Sequence, residues 1–419
     1  MSGCSSGSSN PLASNQAAQT KNAGNFTTTV FLGDSLTAGY QSGSLLDTQQ
    51  VHGWALLVAA QANFNIVLPL IAPPGAPGVL QLVSAGPPPV IVSSPGTSSG
   101  RDNFSVQATD LAVPGALLTD VLNTVPLASP APGQQQINQL VLGFPGLGYG
   151  QAYSQATFAT KANPTTIFLW IGNNDALIAD LTGSPAAMTS VADFTAQYQA
   201  LTTQTSAHLV IANIPDVTAV PYLQPASGIL AQYSAGTGVP AAVLSGLLGI
   251  TAGDLVTPEG LSEIPLILGG KKRGPISDAG VLTAAETVAV QTQVKAFNQV
   301  IAQQAQAAGA TLVDINGLFG QITTAGLAIN GYTGTARFLG GFFSLDGIHP
   351  TNTGYAVVAN RFIDTLNTSV GTKIADVDLP AVAAADPLWP TNLLKTTGGK
   401  VVSMPASAGR SLDWMAGTR

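Results

Sequence analysis

Charged side chains are scarce in this sequence. Asp, Glu, Lys and Arg make up 8% of the 419 residues, where a globular domain carries about 25%. The surface must therefore be built from Ser, Thr, Asn, Gln and Gly. Fourteen basic residues stand against 21 acidic ones, a formal charge of −7, and the largest basic cluster is Lys271-Lys272-Arg273. Phosphate backbones are bound by basic faces, so no nucleic-acid partner is expected. Long apolar runs are also missing. The longest candidate, Val239 to Ile250, is interrupted by Ser245 and Gly246 and falls short of the roughly 18 residues of a membrane span.

Cysteine and histidine are nearly absent, which narrows the chemistry further. A single cysteine, Cys4, excludes an intrachain disulfide. The three histidines, His52, His208 and His349, are far apart in sequence, and there is no HExxH motif. No metal site is expected from such a set. Nor does any segment resemble a Walker or dinucleotide-binding loop, so no cofactor is expected.

The remaining residues fall into an alternating pattern. Residues 1 to about 25 are small and polar and read as a flexible tether, because they hold too little apolar surface to offset the entropy of ordering. From Thr27 to Leu32 a β-branched and aromatic run ends at Gly33 and is followed by a helical stretch from Trp54 to Ala62. Further strands are expected at Ile66 to Ile71, Ser105 to Val113, Thr165 to Ile171, Leu209 to Ile214 and Thr311 to Ile315. Several are continuous apolar runs, as strands buried on both faces require. Helices are expected at about 191 to 204, 283 to 308 and 351 to 367. Such alternation argues for an α/β domain with a parallel sheet and helices on both sides. Stretches at about 72–102, 126–163 and 218–282, rich in Gly, Pro, Ala and Ser, interrupt the rhythm and are too long for ordinary connections. These boundaries make one domain over 26–370 with three insertions, followed by a 371–419 extension expected to pack on it.

Three separated segments carry candidate chemistry. In Gly33-Asp34-Ser35-Leu36-Thr37, the serine follows the first buried strand, and ligands of open parallel sheets bind at the carboxyl ends of strands. Gly-Asp-Ser is equally ordinary turn chemistry. In Gly172-Asn173-Asn174-Asp175, again at a strand end, a carboxamide can donate to an oxyanion or simply cap the next helix. In Asp346-Gly347-Ile348-His349-Pro350, a carboxylate three residues before an imidazole can orient it as a base, or the turn can merely start a helix. The GxSxG patterns at 3–7 and 96–100 lie in Ser/Gly-rich sequence without the flanking strand and helix that a nucleophile elbow needs.

Together these segments resemble, in order, conserved blocks one, three and five of the GDSL (SGNH) hydrolase family, and Asp110-Leu111-Ala112-Val113-Pro114-Gly115-Ala116 resembles block two. The resemblance spans residues 28 to 367. It implies a three-layer α/β/α, flavodoxin-like fold and a carboxylic ester hydrolase, esterase or lipase, without cofactor or metal. It also implies Ser35 as nucleophile, Asp346 and His349 as its partners, and an oxyanion hole from the Ser35 amide, Gly115 and Asn174. Carboxylesters, lipids, phospholipid acyl groups and acylated glycans share this pattern, so the acyl-chain length is open. From another class, a non-catalytic surface-binding protein on the same scaffold also fits. Ser2-Gly3-Cys4-Ser5 resembles the mature end of a bacterial lipoprotein, which implies an exported protein, secreted or anchored in the cell envelope through a lipidated Cys4; an incidental cysteine in a polar tail is the alternative. Oligomeric state is not legible.

Overall fold

The computed structural model describes residues 24–86, 89–397 and 404–416. Its centre is a parallel sheet of β1 (Thr29–Gly33), β2 (Thr166–Trp170), β3 (His208–Ala212) and β4 (Thr311–Val313), in that spatial order. The first three strands are buried at every position, which is why they read as unbroken apolar runs. Phe31 stacks on Phe168 across the β1–β2 ladder, ring centroids 4.7 Å apart.

Two of the expected strands are not regular strands. Ile66 to Ile71 contains Pro69, which has no N–H to give a ladder, and its only β contact is an isolated bridge from Ile71 to Arg101. Within Ser105 to Val113, residues near 105 turn, and only Asp110 bridges β1, at Phe31, in parallel. The backbone there still bonds β1 on both sides of that bridge: Phe31 N–H donates to Thr109, Leu111 N–H to Phe31 and Val113 N–H to Gly33. This segment thus occupies the edge beside β1. Counting it, the order is the 2-1-3-4-5 of flavodoxin-like sheets.

Helices cover both faces. On one, α1 (Trp54–Ala62) packs against the long carboxyl-terminal helix described last, with Trp54 stacked 3.9 Å from Phe362. After α2 (Gln134–Leu142), the other face carries α3 (Gln155–Ala162), α4 (Asn173–Thr182), α5 (Val191–Thr203) and α6 (Ala284–Ala308). Phe194 of α5 stacks on Phe297 of α6 at 4.0 Å. The Thr283/Glu286 capping box starts α6 and Gly309, in the left-handed region, ends it. The next long helix, α7 (Asn352–Ser369), begins on a Thr351 cap.

The long connections are themselves folded. Residues 72–102 hold an antiparallel hairpin, Leu80–Ser84 with Val90–Ser93. Residues 218–282 hold short helices and a three-stranded sheet around a second small core that includes Leu244, Leu248 and Ile264. Beyond 370 the chain returns to the domain, where the Asp386 carboxylate accepts from Thr353 N–H and Oγ at the start of α7. Cys4 and all but the last two residues of the expected tether lie outside the described residues.

One buried group in this core titrates unfavourably. Asp110 is 1% exposed; its Oδ1 accepts from Ala112 N–H while Oδ2 has no partner. Burial pushes its carboxyl from the ordinary 3.8 to about 8, against the pull of that one N–H. A raised folded pKa means the folded state holds a proton that the unfolded chain releases, so stability is lost as pH rises between about 4 and 8. Asp110→Asn is expected to flatten the decline in Tm across that window. Parallel melting curves for variant and wild type from pH 4 to 8 would contradict it.

Candidate active site

The carboxyl edge of the sheet gathers the three motif segments. After β1 the chain turns at once: Thr37 and Ala38 N–H return to the Asp34 carbonyl and Tyr40 N–H to that of Ser35. Gly33 is required there, because a Cβ would overlap the Trp170 carbonyl at a distance of 2.5 Å. Gln155 of α3 grips the same glycine through both backbone groups, its Oε1 accepting from Gly33 N–H (2.9 Å) and its Nε2 donating to the Gly33 carbonyl (3.0 Å). The strand end that aims Ser35 is therefore held from the side.

Asp34 braces the turn from within. It accepts from Leu36 N–H (3.0 Å) and from Asn173 Nδ2 (2.9 Å). Burial raises its carboxyl to about 6, the Asn173 and Leu36 bonds working in the other direction. Asn174 Nδ2 donates to the Ala116 carbonyl (2.9 Å), next to Gly115. The two neighbouring carboxamides at the start of α4 thus tie the serine turn to the Gly115 loop. Gly172, at φ +105°, makes the sharp entry to α4, where a side chain would strike the Phe194 ring.

The third segment arrives from the far end of the chain. Asp346 Oδ1 accepts from Ile348 and His349 N–H, both at 2.9 Å, forming a local turn in which Gly347 adopts φ +76°. Asp346 Oδ2 lies 3.0 Å from His349 Nδ1 and accepts from Gly43 N–H at 2.7 Å. His349 Nε2 lies 2.8 Å from Ser35 Oγ. All three side chains are buried, His349 and Asp346 completely. Burial works against the Asp346 carboxylate, but the charge of His349, its ring N–H and the two backbone amides outweigh it and hold the carboxyl below the ordinary range.

The structure therefore joins Ser35, His349 and Asp346 in one hydrogen-bonded line and puts Asn174, in the first turn of α4, in contact with the Gly115 loop. The other two histidines stand apart: His208 Nε2 meets Thr311 Oγ at 3.0 Å within the sheet, and His52 is half-buried beyond α1's start. Ser98 of the 96–100 GxSxG pattern donates to the Ala72 carbonyl and takes no part in the line.

Several supporting groups were not anticipated. Ser42 and Ser344 sew the first and last segments together: Ser344 Oγ accepts from Ser42 N–H at 2.8 Å. Tyr40 lays its ring against His349 (centroids 4.6 Å), donates its hydroxyl to Gly43 O, and accepts at its carbonyl from Tyr355 of α7. Burial and then the Asp346 charge push the Tyr40 phenol well up, so it stays protonated. The left-handed pair Ser42 (φ 49°) and Gly43 (φ 75°) is the one local signal of that turn. The partners of Gln155 and Gly43 lie 122 and 303 residues away, beyond any sequence pattern.

No curated protein sequence matches the chain. Among solved structures, it is similar to LAE5, an alpha/beta hydrolase enzyme from the metagenome of Lake Arreo, Spain, at 11% identity and TM-score 0.36 over 81% of this chain and 95% of the other. It is also similar to phospholipase A1 from Streptomyces albidoflavus (15% identity, TM-score 0.33, 81% and 98% covered) and to an extracellular lipase from Streptomyces rimosus (15%, 0.33, 82% and 99%). The model of the GDSL-like lipase/acylhydrolase family matches residues 29–362, most of the sequence, and the chain belongs to that family.

Proposed function

We propose that this protein is a serine ester hydrolase, an esterase or lipase that works through an acyl-enzyme on Ser35. The observation that carries the reading is the unbroken line from Ser35 Oγ through His349 to Asp346, 2.8 Å and then 3.0 Å long. His349 Nε2 takes the Ser35 proton as Oγ attacks the ester carbonyl, and the same proton passes to the departing alcohol. Water, deprotonated by His349, then releases the acid and frees the serine. Asp346 fixes the ring with Nδ1 protonated and favours the imidazolium formed at each attack.

The developing oxyanion is assigned to the Ser35 and Gly115 amides and the Asn174 carboxamide. One Asn174 N–H is engaged by Ala116, which orients the group and leaves its second N–H for the oxygen. Such a preorganised donor is worth about 10²–10³ in kcat. Asp34 and Asn173 act as positioning residues. The ester is a small molecule or a lipid, and deacylation of acylated glycans would use the same machinery. An exported protein, secreted or tethered to the bacterial envelope through a lipidated Cys4, fits this chemistry. Native protein would then carry an acyl mass on Cys4, and an unmodified Cys4 thiol would remove the tether.

A fluorophosphonate is expected to label wild type on Ser35 and to leave Ser35→Ala unlabelled, with kcat for a p-nitrophenyl ester reduced by about 10⁶ in the variant. Asn174→Ala should keep the labelling site and lose about 10²–10³ in kcat. A folded wild type that neither reacts with the probe nor turns over esters would instead be a binding protein on a hydrolase scaffold.

A further inference from the structure

The catalytic line is covered, and part of its cover comes from the carboxyl-terminal segment 404–416. Ser35 is 3% exposed and His349 0%. Met404 lies against Gly347, between Asp346 and His349, so closely that a Cβ there would overlap its sulfur. Ser411 lies against Gly43, the donor to Asp346. Trp414 reaches furthest in: its ring edge is 3.4 Å from where a Gly115 Cβ would stand, and its centroid is 6.4 Å from that of Tyr40, the ring that covers His349. Leu412 and Met415 anchor the segment in the main core, while Arg410 pairs at the surface with Glu259 at 2.9 Å.

Trp414 also forms part of the wall of a trough of about 570 Å³. Phe104, Ile137, Leu140 and Phe144 line it, contributed by the region just after the first insertion and by the second. That volume is in the range of small-ligand sites. The trough runs to Gly133, and the adjoining Gln134 presses on Gly115 while donating to the Pro114 carbonyl at 2.9 Å. Trough and catalytic line therefore approach each other at the Gly115 corner, where the carbonyl under attack would sit, and Trp414 stands between them.

Building on the serine-hydrolase reading, we propose that Trp414 is the residue that sets acyl-chain length. Seated, it walls Ser35 off from the trough; when the Trp414 ring swings aside during turnover, the acyl chain of the ester enters the trough along its aromatic and aliphatic wall. Each methylene buried there contributes about fourfold in binding, so a medium-length chain gains substantially over acetyl once the wall is open.

The test compares kcat/KM for p-nitrophenyl octanoate and acetate in wild type, Trp414→Ala and Thr97→Trp, with fluorophosphonate labelling of each preparation. Thr97 is an exposed trough residue outside the catalytic line, so a tryptophan there fills the trough without disturbing the core. Trp414→Ala is expected to raise the octanoate-to-acetate ratio at least tenfold, and Thr97→Trp to lower it at least tenfold. If Trp414→Ala does not fold, the Thr97→Trp result decides. Labelled, folded variants with unchanged ratios overturn the Trp414 assignment and leave Ser35 as nucleophile. A change confined to esters with long alcohol chains also overturns it. Absence of both labelling and turnover in wild type removes the Ser35 reading and this one together.

Discussion

A hydrogen bond between Ser35 and His349 joins residues 314 apart in the chain, and the rest of the architecture can be understood as what that contact requires. One partner must stand at the end of a central strand and the other just before α7. The sheet supplies the first position and α7, packed against α1, supplies the second. Neither is rigid enough without local bracing, because a misplacement of about 1 Å costs a reacting pair about 10²-fold. Gln155 therefore clasps Gly33, Ser42 and Ser344 join the two loops, and Gly43 donates directly to the carboxylate that orients the imidazole.

Burial makes the electrostatics selective. Three carboxylates near the carboxyl edge, Asp34, Asp110 and Asp346, are all almost inaccessible to water, and the penalty for charging them is common to all three. What separates them is the number and kind of donors. Asp346 has two backbone amides, the Gly43 amide and an imidazole, and is held below the ordinary range. Asp110 has a single backbone donor and is driven to about 8; Asp34, with an amide and a carboxamide, falls between at about 6. Donor count thus accounts for the lowered carboxyl of Asp346, the one of the three that faces an imidazole.

How much of this was legible beforehand depended on distance along the chain. The first three sheet strands announce themselves as apolar runs because both their faces are buried, and Asp346 and His349 announce their turn because three residues suffice to close it. The edge segment at Asp110 was over-read as a regular strand, since its composition is β-like but only one residue bridges β1. Pro69, which has no N–H, keeps Ile66 to Ile71 out of the ladder. The second small core, which buries Leu244 and Leu248, is not legible because it lies within a stretch whose Gly, Pro, Ala and Ser content reads as an interruption. Gln155, Gly43, Tyr40 and Trp414 were invisible for a different reason. Their importance lies wholly in partners that only the folded chain brings near, and Gln155, a polar residue at the first turn of an ordinary helix, carries no local mark of it.

The most direct examination of the central contact is to capture what it is built to make. Wild-type protein mixed with a slowly deacylating ester, quenched in acid within the first turnovers and digested for mass spectrometry, should carry one acyl group on the peptide containing Ser35, and the adduct should fail to accumulate in His349→Ala. Rapid turnover with the acyl group on another residue, or an undiminished Ser35 adduct without the imidazole, would contradict the account.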